Sequence, residues 1–218
     1  MLYFDNDVIP EIKNNKNKVI ELSGLPDAGT SSSAIFLAEE LPGLSLYIGL
    51  KQNSPNLNVF SAYFEHKMDR VIFSLIESFN DENSLILCID KFKDYVDYIF
   101  IDDFVFSVLY KPKHKIKRLM SLIYSKALEN NIKIFIINQL RFDVFSIQKG
   151  KHPWNQKTPL KTLYFDQIRG HLDLRLKVKR DKDNDRDIFV SVDHEFNNKK
   201  SSKSETKLDD FLGSIKIT

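Results

Sequence analysis

The chain has a single cysteine in 218 residues, Cys88, set in the apolar run LILCI. One thiol excludes a disulfide framework and any zinc site built on paired cysteines, and it fits a reducing compartment. No apolar run approaches the ~20 residues that a membrane-spanning helix needs. The opening stretch, MLYFDNDVIPEIKNNKNK, is acidic and polar where a secretory signal is basic and then apolar. A soluble, cytoplasmic protein without a membrane partner is therefore expected. An excess of one charge is also missing: 32 Lys and Arg against 30 Asp and Glu leave a net charge of +2. Any affinity for nucleic acid must come from local clustering. The five histidines show no metal-ligand spacing, and no Ser, Cys and His grouping suggests a catalytic nucleophile. Neither a metal site nor an internal repeat is expected.

What is present is a globular composition, 42% hydrophobic with 12% aromatic residues, and a length that suits one α/β domain. Residues 1–17 are Asn- and Lys-rich after Phe4 and read as a short N-terminal arm. From Lys18 the pattern alternates. A strand over 18–23 precedes a helix over about 31–41, and a second strand spans 44–49. A helical pattern runs through 59–79, with Phe60, Tyr63, Phe64, Val71, Leu75 and Ile76 near helical spacing. Short apolar runs follow at 85–89 and 96–101. Ile116, Leu119, Met120, Ile123 and Ala127 share one helix face within 115–130, before an apolar strand at 132–137. Apolar strands alternating with amphipathic helices imply a mostly parallel central sheet with helices on both faces. GHLDLRLKVKR and RDIFVSVDHEF, joined by DKDND, alternate with period 2 and predict antiparallel strands at the C-terminal end. The core domain is placed at 18–196, and a polar C-terminal tail at 197–218.

The stretch KVIELSGLPDAGTSSSAIFL runs from an apolar strand through Gly24 and Gly29 into a Ser-rich helix start. Strand, glycine loop and helix in that order form the arrangement in which backbone N–H groups cradle phosphates. That loop needs Lys after its second glycine to reach the outer phosphates, and Ser or Thr next to it for Mg²⁺. Here the two positions are Thr30 and Ser31. The metal-side hydroxyl is kept and the cation is missing. The same residues also suit a plain tight connection with capping hydroxyls.

Two further segments carry a family resemblance. VDYIFIDDF is an apolar strand ending in Asp102, and IKIFIINQLRFD is an apolar strand running into Asn138, Gln139, Leu140 and Arg141. This order, with a long polar loop and then LKTLYFDQIRGHLDLRLKVKR, resembles the RecA recombinase family over roughly residues 18–195. The resemblance implies an α/β, RecA-like P-loop core. It also implies a nucleotide site in which Gly24, Gly29, Thr30 and Ser31 form the phosphate loop, Asp102 is the metal carboxylate and Gln139 senses the terminal phosphate. Two departures bear on activity. Thr30 replaces the family's Lys, and GLKQNSP offers Lys51 and Gln52 where the family carries its water-activating Glu. No catalytic residue is assigned, and a vestigial site with no required cofactor is expected, ATP and Mg²⁺ being held weakly if at all. Read locally, Asp102 is also a plain strand-end turn residue and Gln139 a plain cross-strand bond former.

The resemblance places DNA-binding loops at two basic segments. YKPKHKIKR carries Lys111, Lys113, Lys115, Lys117 and Arg118 with no acid. RFDVFSIQKGKHPWNQKTPLK carries Arg141, Lys149, Lys151, Lys157 and Lys161 against the single acid Asp143, with Phe145 and Trp154 among them. Cations neutralise phosphates, and exposed aromatics stack on unpaired bases. Each segment alone also suits a solvated helix start or a self-packed loop. Arg169, Arg175, Lys177, Lys179 and Arg180 extend the basic character, but strand alternation puts only one subset on each face. The first expectation is thus a RecA-like accessory protein of DNA recombination, repair or the DNA-damage response. It would bind single-stranded DNA, a RecA-type recombinase or a repair polymerase without efficient ATP hydrolysis, and self-assembly is a further option. The alternatives are a phage-type ATP-dependent single-strand recombinase or annealing core, and a protein-binding SOS-type regulator.

Overall fold

A computed structural model describes residues 1–50, 68–76, 82–102, 104, 112–142, 160–162, 165–181 and 186–196. Its strands are β1 (Leu2–Phe4), β2 (Val19–Gly24), β3 (Ser45–Leu50), β4 (Val71–Ile76), β5 (Tyr98–Asp102), β6 (Lys133–Phe142), β7 (Leu160–Thr162), β8 (Leu174–Arg180) and β9 (Ile188–Val192). Its α-helices are α1 (Val8–Lys13), α2 (Thr30–Glu40), α3 (Glu82–Phe92), α4 (Lys113–Glu129) and α5 (Phe165–Ile168).

The described strands form a nine-stranded sheet in the order β1-β9-β8-β2-β6-β5-β3-β4, with β7 off this path on β6. Pairing is parallel except for β6 with β7 and β8 with β9. The mostly parallel sheet and the antiparallel C-terminal strands match the expectation from sequence. Parallel strands covered on both faces need apolar residues on both, and VIELSG and YIFID are buried along their whole length.

Alternation divides the core in two. Ile20, Leu22, Leu176 and Val178 face Ala34, Ile35, Leu37 and Ala38 of α2, with Val8 and Ile12 of α1 beside them. Val19, Ile134 and Ile136 face the other way, onto Leu85 and Ile89 of α3 and Leu119, Met120 and Ile123 of α4. Burying each such Leu or Ile fully stabilises the fold by about 1.5–3 kcal/mol, which fixes the strand register, since a slip by one residue would exchange the faces.

The fold differs from the sequence expectations in several places. Of the helical pattern expected at 59–79, residues 71–76 form β4 and 68–70 a 3₁₀ turn; 59–67 and 77–79 lie outside the described residues. Five apolar residues in six, with a Val-Ile-Phe start, satisfy either period, and pairing with β3 from Ser45↔Val71 to Leu50↔Ile76 decides the outcome. The apolar run at 85–89 lies in α3, whereas that at 96–101 leads into β5. Residues 2–13 of the expected arm form β1 and α1. β1 pairs in parallel with β9, and the Phe4 ring stacks on Phe36 of α2 at 5.7 Å. The strand expected at 132–137 continues to Phe142, so Asn138 to Arg141 lie within β6. The expected tail at 197–218 is outside the described residues.

Candidate functional site

β2 ends at Gly24, and the chain turns through Leu25, Pro26, Asp27 and Ala28 to Gly29, which precedes α2. The Ala28 amide donates to the Leu25 carbonyl at 3.0 Å and closes the turn. Both glycines are required, for different reasons. A Cβ on Gly24 would stand 2.8 Å from Thr30 Oγ1 and 2.9 Å from the Val178 carbonyl oxygen. Gly29 has φ +86°, and a Cβ there would stand 2.4 Å from Ile188 Cδ1. Ser33 donates both its amide and its hydroxyl to the Gly29 carbonyl, each at 2.9 Å. Among the described residues no side chain caps the start of α2, and no acid sits in its first turn, so its N-terminal end keeps its attraction for an anion.

Above this turn lies a cleft of about 270 Å³ whose lining includes Gly29, Thr30, Ser31, Asp102, Gln139 and Arg180. Five of the six nucleotide-site residues named from sequence thus meet around one space. Gly24 lies at its base, against Thr30. Parallel pairing accounts for this, because the register Gly24↔Gln139 on β2 and β6 brings the carboxyl ends of those strands together.

Asp102 is 6% exposed. It accepts a hydrogen bond from the Tyr47 hydroxyl of β3 and interacts with the Ser31 hydroxyl. Burial raises its pKa above the ordinary carboxylate range, and the two hydroxyl contacts offset part of the rise. The residues fit the polyphosphate of a nucleotide in one respect: the start of α2 offers backbone N–H groups to the cleft, whereas the spaces beside Gly24 and Gly29 are filled by Thr30, Val178 and Ile188. Ser31 and Asp102, already in contact, are the pair that would hold its divalent cation. Lys51 and Gln52, at the expected position of an activating carboxylate, lie outside the described residues.

The basic segments are described in part. Lys113, Lys115, Lys117 and Arg118 are exposed on the first turns of α4, which begins after Pro112. β5 and β6 are parallel neighbours joined through α4, so the start of α4 lies at the edge where β5 ends. β6 runs out at the same edge, and its ladder with β7 sets Arg141 opposite Lys161. Lys111, Lys149, Lys151, Trp154 and Lys157 lie outside the described residues. Arg175 does not extend a basic surface: it is buried, with Nε 2.9 Å from Glu21 Oε2. Lys177 pairs with Asp193 at 2.9 Å.

Neither Arg180, which lines the cleft, nor Tyr47, which reaches it only through Asp102, was singled out for it from sequence. Tyr47 reads there as an ordinary aromatic in a strand. Arg180 carried a usable signal, since it is in phase with Leu174, Leu176 and Val178, which face α2. A Ser–His contact, Ser121 Oγ to His171 Nε2 at 2.9 Å, is not a nucleophile pair. The Ser121 hydroxyl donates its one proton to the Lys117 carbonyl, which leaves the ring nitrogen as donor.

A glycine-bearing strand-to-helix turn at the carboxyl edge of a mostly parallel sheet, with antiparallel closing strands, makes the fold RecA-like. Among solved structures, a crystal structure of the RadB recombinase superposes with a TM-score of 0.52 at 13% sequence identity, over 76% of this chain and 76% of that one. No protein-family model matches the sequence, and no curated protein matches it. No helix among the described residues is long and apolar enough to cross a membrane.

Proposed function

We propose that this chain is a RecA-like accessory protein of DNA recombination or repair that binds single-stranded DNA along the carboxyl edge of its sheet. Its phosphate loop is degenerate, and it does not hydrolyse ATP efficiently. The observation that carries the DNA reading is the start of α4. Lys113, His114, Lys115, Lys117 and Arg118 crowd the positive end of a helix dipole with no acid in the first turn. Cations there destabilise the helix, by about 0.3–1 kcal/mol each in reverse of the usual end preference. An external polyanion removes that penalty. The Arg141 and Lys161 rung, at the same sheet edge, adds two cationic residues at one position. The absence of efficient hydrolysis follows from Thr30 at the lysine position, since phosphoryl transfer depends on charge stabilisation. A RecA-type recombinase or a repair polymerase is the partner class consistent with such a scaffold.

Fluorescence anisotropy with a labelled single-stranded oligonucleotide tests this reading. Binding is expected to weaken with salt, and Lys113→Glu with Lys115→Glu should lower both affinity and salt slope. No binding at low salt would leave a regulator that contacts only protein. ATP turnover with DNA present, abolished by Asp102→Asn, would show a working recombinase core instead.

A further inference from the structure

The cleft lacks the cation that a phosphate loop places after its second glycine, but another cation reaches it from the sheet. Along β8, Leu174, Leu176 and Val178 point to the α2 side, and period-2 alternation puts Arg180 on that side too. Arg175, Lys177 and Lys179 fall on the opposite face. The register then fixes Arg180 beside the loop. Val178 pairs with Gly24, the last residue of β2, and Arg180 pairs with Ile188, whose side chain fills the space a Cβ on Gly29 would need. Arg180 is exposed, lines the cleft and has no carboxylate partner among the described residues.

A second polar group in the cleft has no partner among the described residues. Thr30 is 8% exposed and lines the cleft, and its hydroxyl has no hydrogen-bond partner among the described residues. Two acids share the wall. Asp27 is exposed, and Asp102 is engaged by Tyr47 and Ser31.

We propose that the Arg180 guanidinium, acting within its own chain, is the phosphate-binding cation of this cleft. The cleft then takes the polyphosphate of a nucleoside di- or triphosphate, a step that rests on reading the loop as a phosphate cradle and not on DNA contact. The α2 N-terminus and the Thr30 hydroxyl donate to the inner phosphate oxygens, and the planar fork of Arg180 closes on the outer ones with paired N–H donors. An arginine arriving from a strand supplies charge without the reach along the loop that a lysine at Thr30 would have. Binding is retained on this arrangement while fast transfer chemistry is not.

The test is titration of the full chain with a fluorescent N-methylanthraniloyl ATP, followed by displacement with inorganic tripolyphosphate. Wild type is expected to bind the nucleotide, and tripolyphosphate to displace it. Arg180→Ala should weaken binding by about tenfold or more, the loss expected for one charge-assisted contact. Lys179→Ala, which removes the adjacent charge from the other face, should stay within about twofold of wild type, since an exposed charge at a distance is screened. Because Arg180 is exposed and has no partner among the described residues, its removal leaves the fold intact, which circular dichroism checks. Failure of wild type to bind nucleotide, an unchanged affinity in Arg180→Ala, equal losses from both variants, or a nucleotide that tripolyphosphate does not displace would each overturn the assignment. The oligonucleotide anisotropy on the same samples reads the DNA function separately, so either can fail alone.

Discussion

The Tyr47 hydroxyl donates a hydrogen bond to the carboxylate of Asp102, a residue buried at the carboxyl end of the neighbouring strand β5. The register Gly49↔Asp102 brings the two together across the β3 and β5 pair, and the Tyr47 ring lies between Phe73 and Phe100 at 5.6 and 6.3 Å. Aromatic packing thus sets the position of the hydroxyl, and the hydroxyl compensates a carboxylate that burial would otherwise leave costly. The carboxylate of the cleft is thus held in place by a residue outside the glycine turn.

This relationship gives a pH-dependent expectation. Asp102 has its pKa raised in the folded state, so between the ordinary carboxylate value and the raised one the native protein binds more protons than the unfolded chain. Its contribution to stability is present at low pH and is lost as pH rises through that window. Asp102→Asn has no such dependence. Urea unfolding of the two proteins should show the variant gaining on wild type as pH rises from the carboxylate range, then a constant difference. Tyr47→Phe should cost about 1–3 kcal/mol at neutral pH, the penalty for removing a donor from a buried acceptor. A flat difference between Asp102→Asn and wild type across the window would contradict this account.

Glu21, fully buried in β2, is 2.9 Å from Arg175 of β8 and accepts from Asn138 of β6 at 2.8 Å. Asp193 adds a second carboxylate 3.6 Å from the same guanidinium. Three strands of the sheet are tied through one ion pair with almost no access to water. Breaking such a pair from one side leaves an uncompensated charge, so Arg175→Met should cost about 3–5 kcal/mol. Removing both charges with Glu21→Gln and Arg175→Met should cost less than the single change at Arg175. A double change that costs the sum of the two single ones, read from chemical denaturation, would mean that the pair is not coupled.

Much of this architecture could be read from residue order alone, because the elements that set it carry their own signal. β2, β5 and β6 are apolar runs between polar borders, and α4 shows one clean face through Ile116, Leu119, Met120, Ile123 and Ala127. β8 and β9 alternate on either side of an Asp- and Asn-rich stretch of sequence. β4 was not legible, since Val71 to Ile76 becomes a strand only through its partner β3. The cleft was half legible. Its glycines, Asp102 and Gln139 follow motif order, whereas Arg180 reaches it, and Tyr47 reaches Asp102, through register and alternation between strands far apart in sequence.

The lead-in to the core was misjudged for a related reason. Two apolar residues of α1, Val8 and Ile12, are fully buried, although Asn and Lys dominate the stretch that follows. The Lys133 ammonium donates to the carbonyls of Asn14 and Asn17 at 2.7 and 2.9 Å and pins that stretch to β6. Ile12→Ala should therefore cost about 2–5 kcal/mol, as a core truncation does, and not the near-zero change of a loose arm. An unfolding midpoint identical to wild type would show that residues 1–17 do not contribute to the core.

The two glycines of the turn should respond differently to alanine. At Gly29 the added methyl meets the end of a side chain, Ile188 Cδ1, and the backbone is held at φ +86°. Trimming Ile188 to Val removes the 2.4 Å contact, leaving Cγ1 at 3.2 Å and the left-handed strain, which is about 1–2 kcal/mol for an L-residue. Gly29→Ala should thus be partly rescued by Ile188→Val. At Gly24 the added methyl meets the backbone carbonyl of Val178 at 2.9 Å, on the strand that carries Arg180. No side-chain change on β8 relieves that contact, so Gly24→Ala must move β2 and β8 apart or shift the loop. It should lower the unfolding midpoint and weaken nucleotide binding together, and Ile188→Val should rescue neither. Rescue of Gly24→Ala by Ile188→Val would mean that the close approach of β2 to β8 is not what requires glycine there.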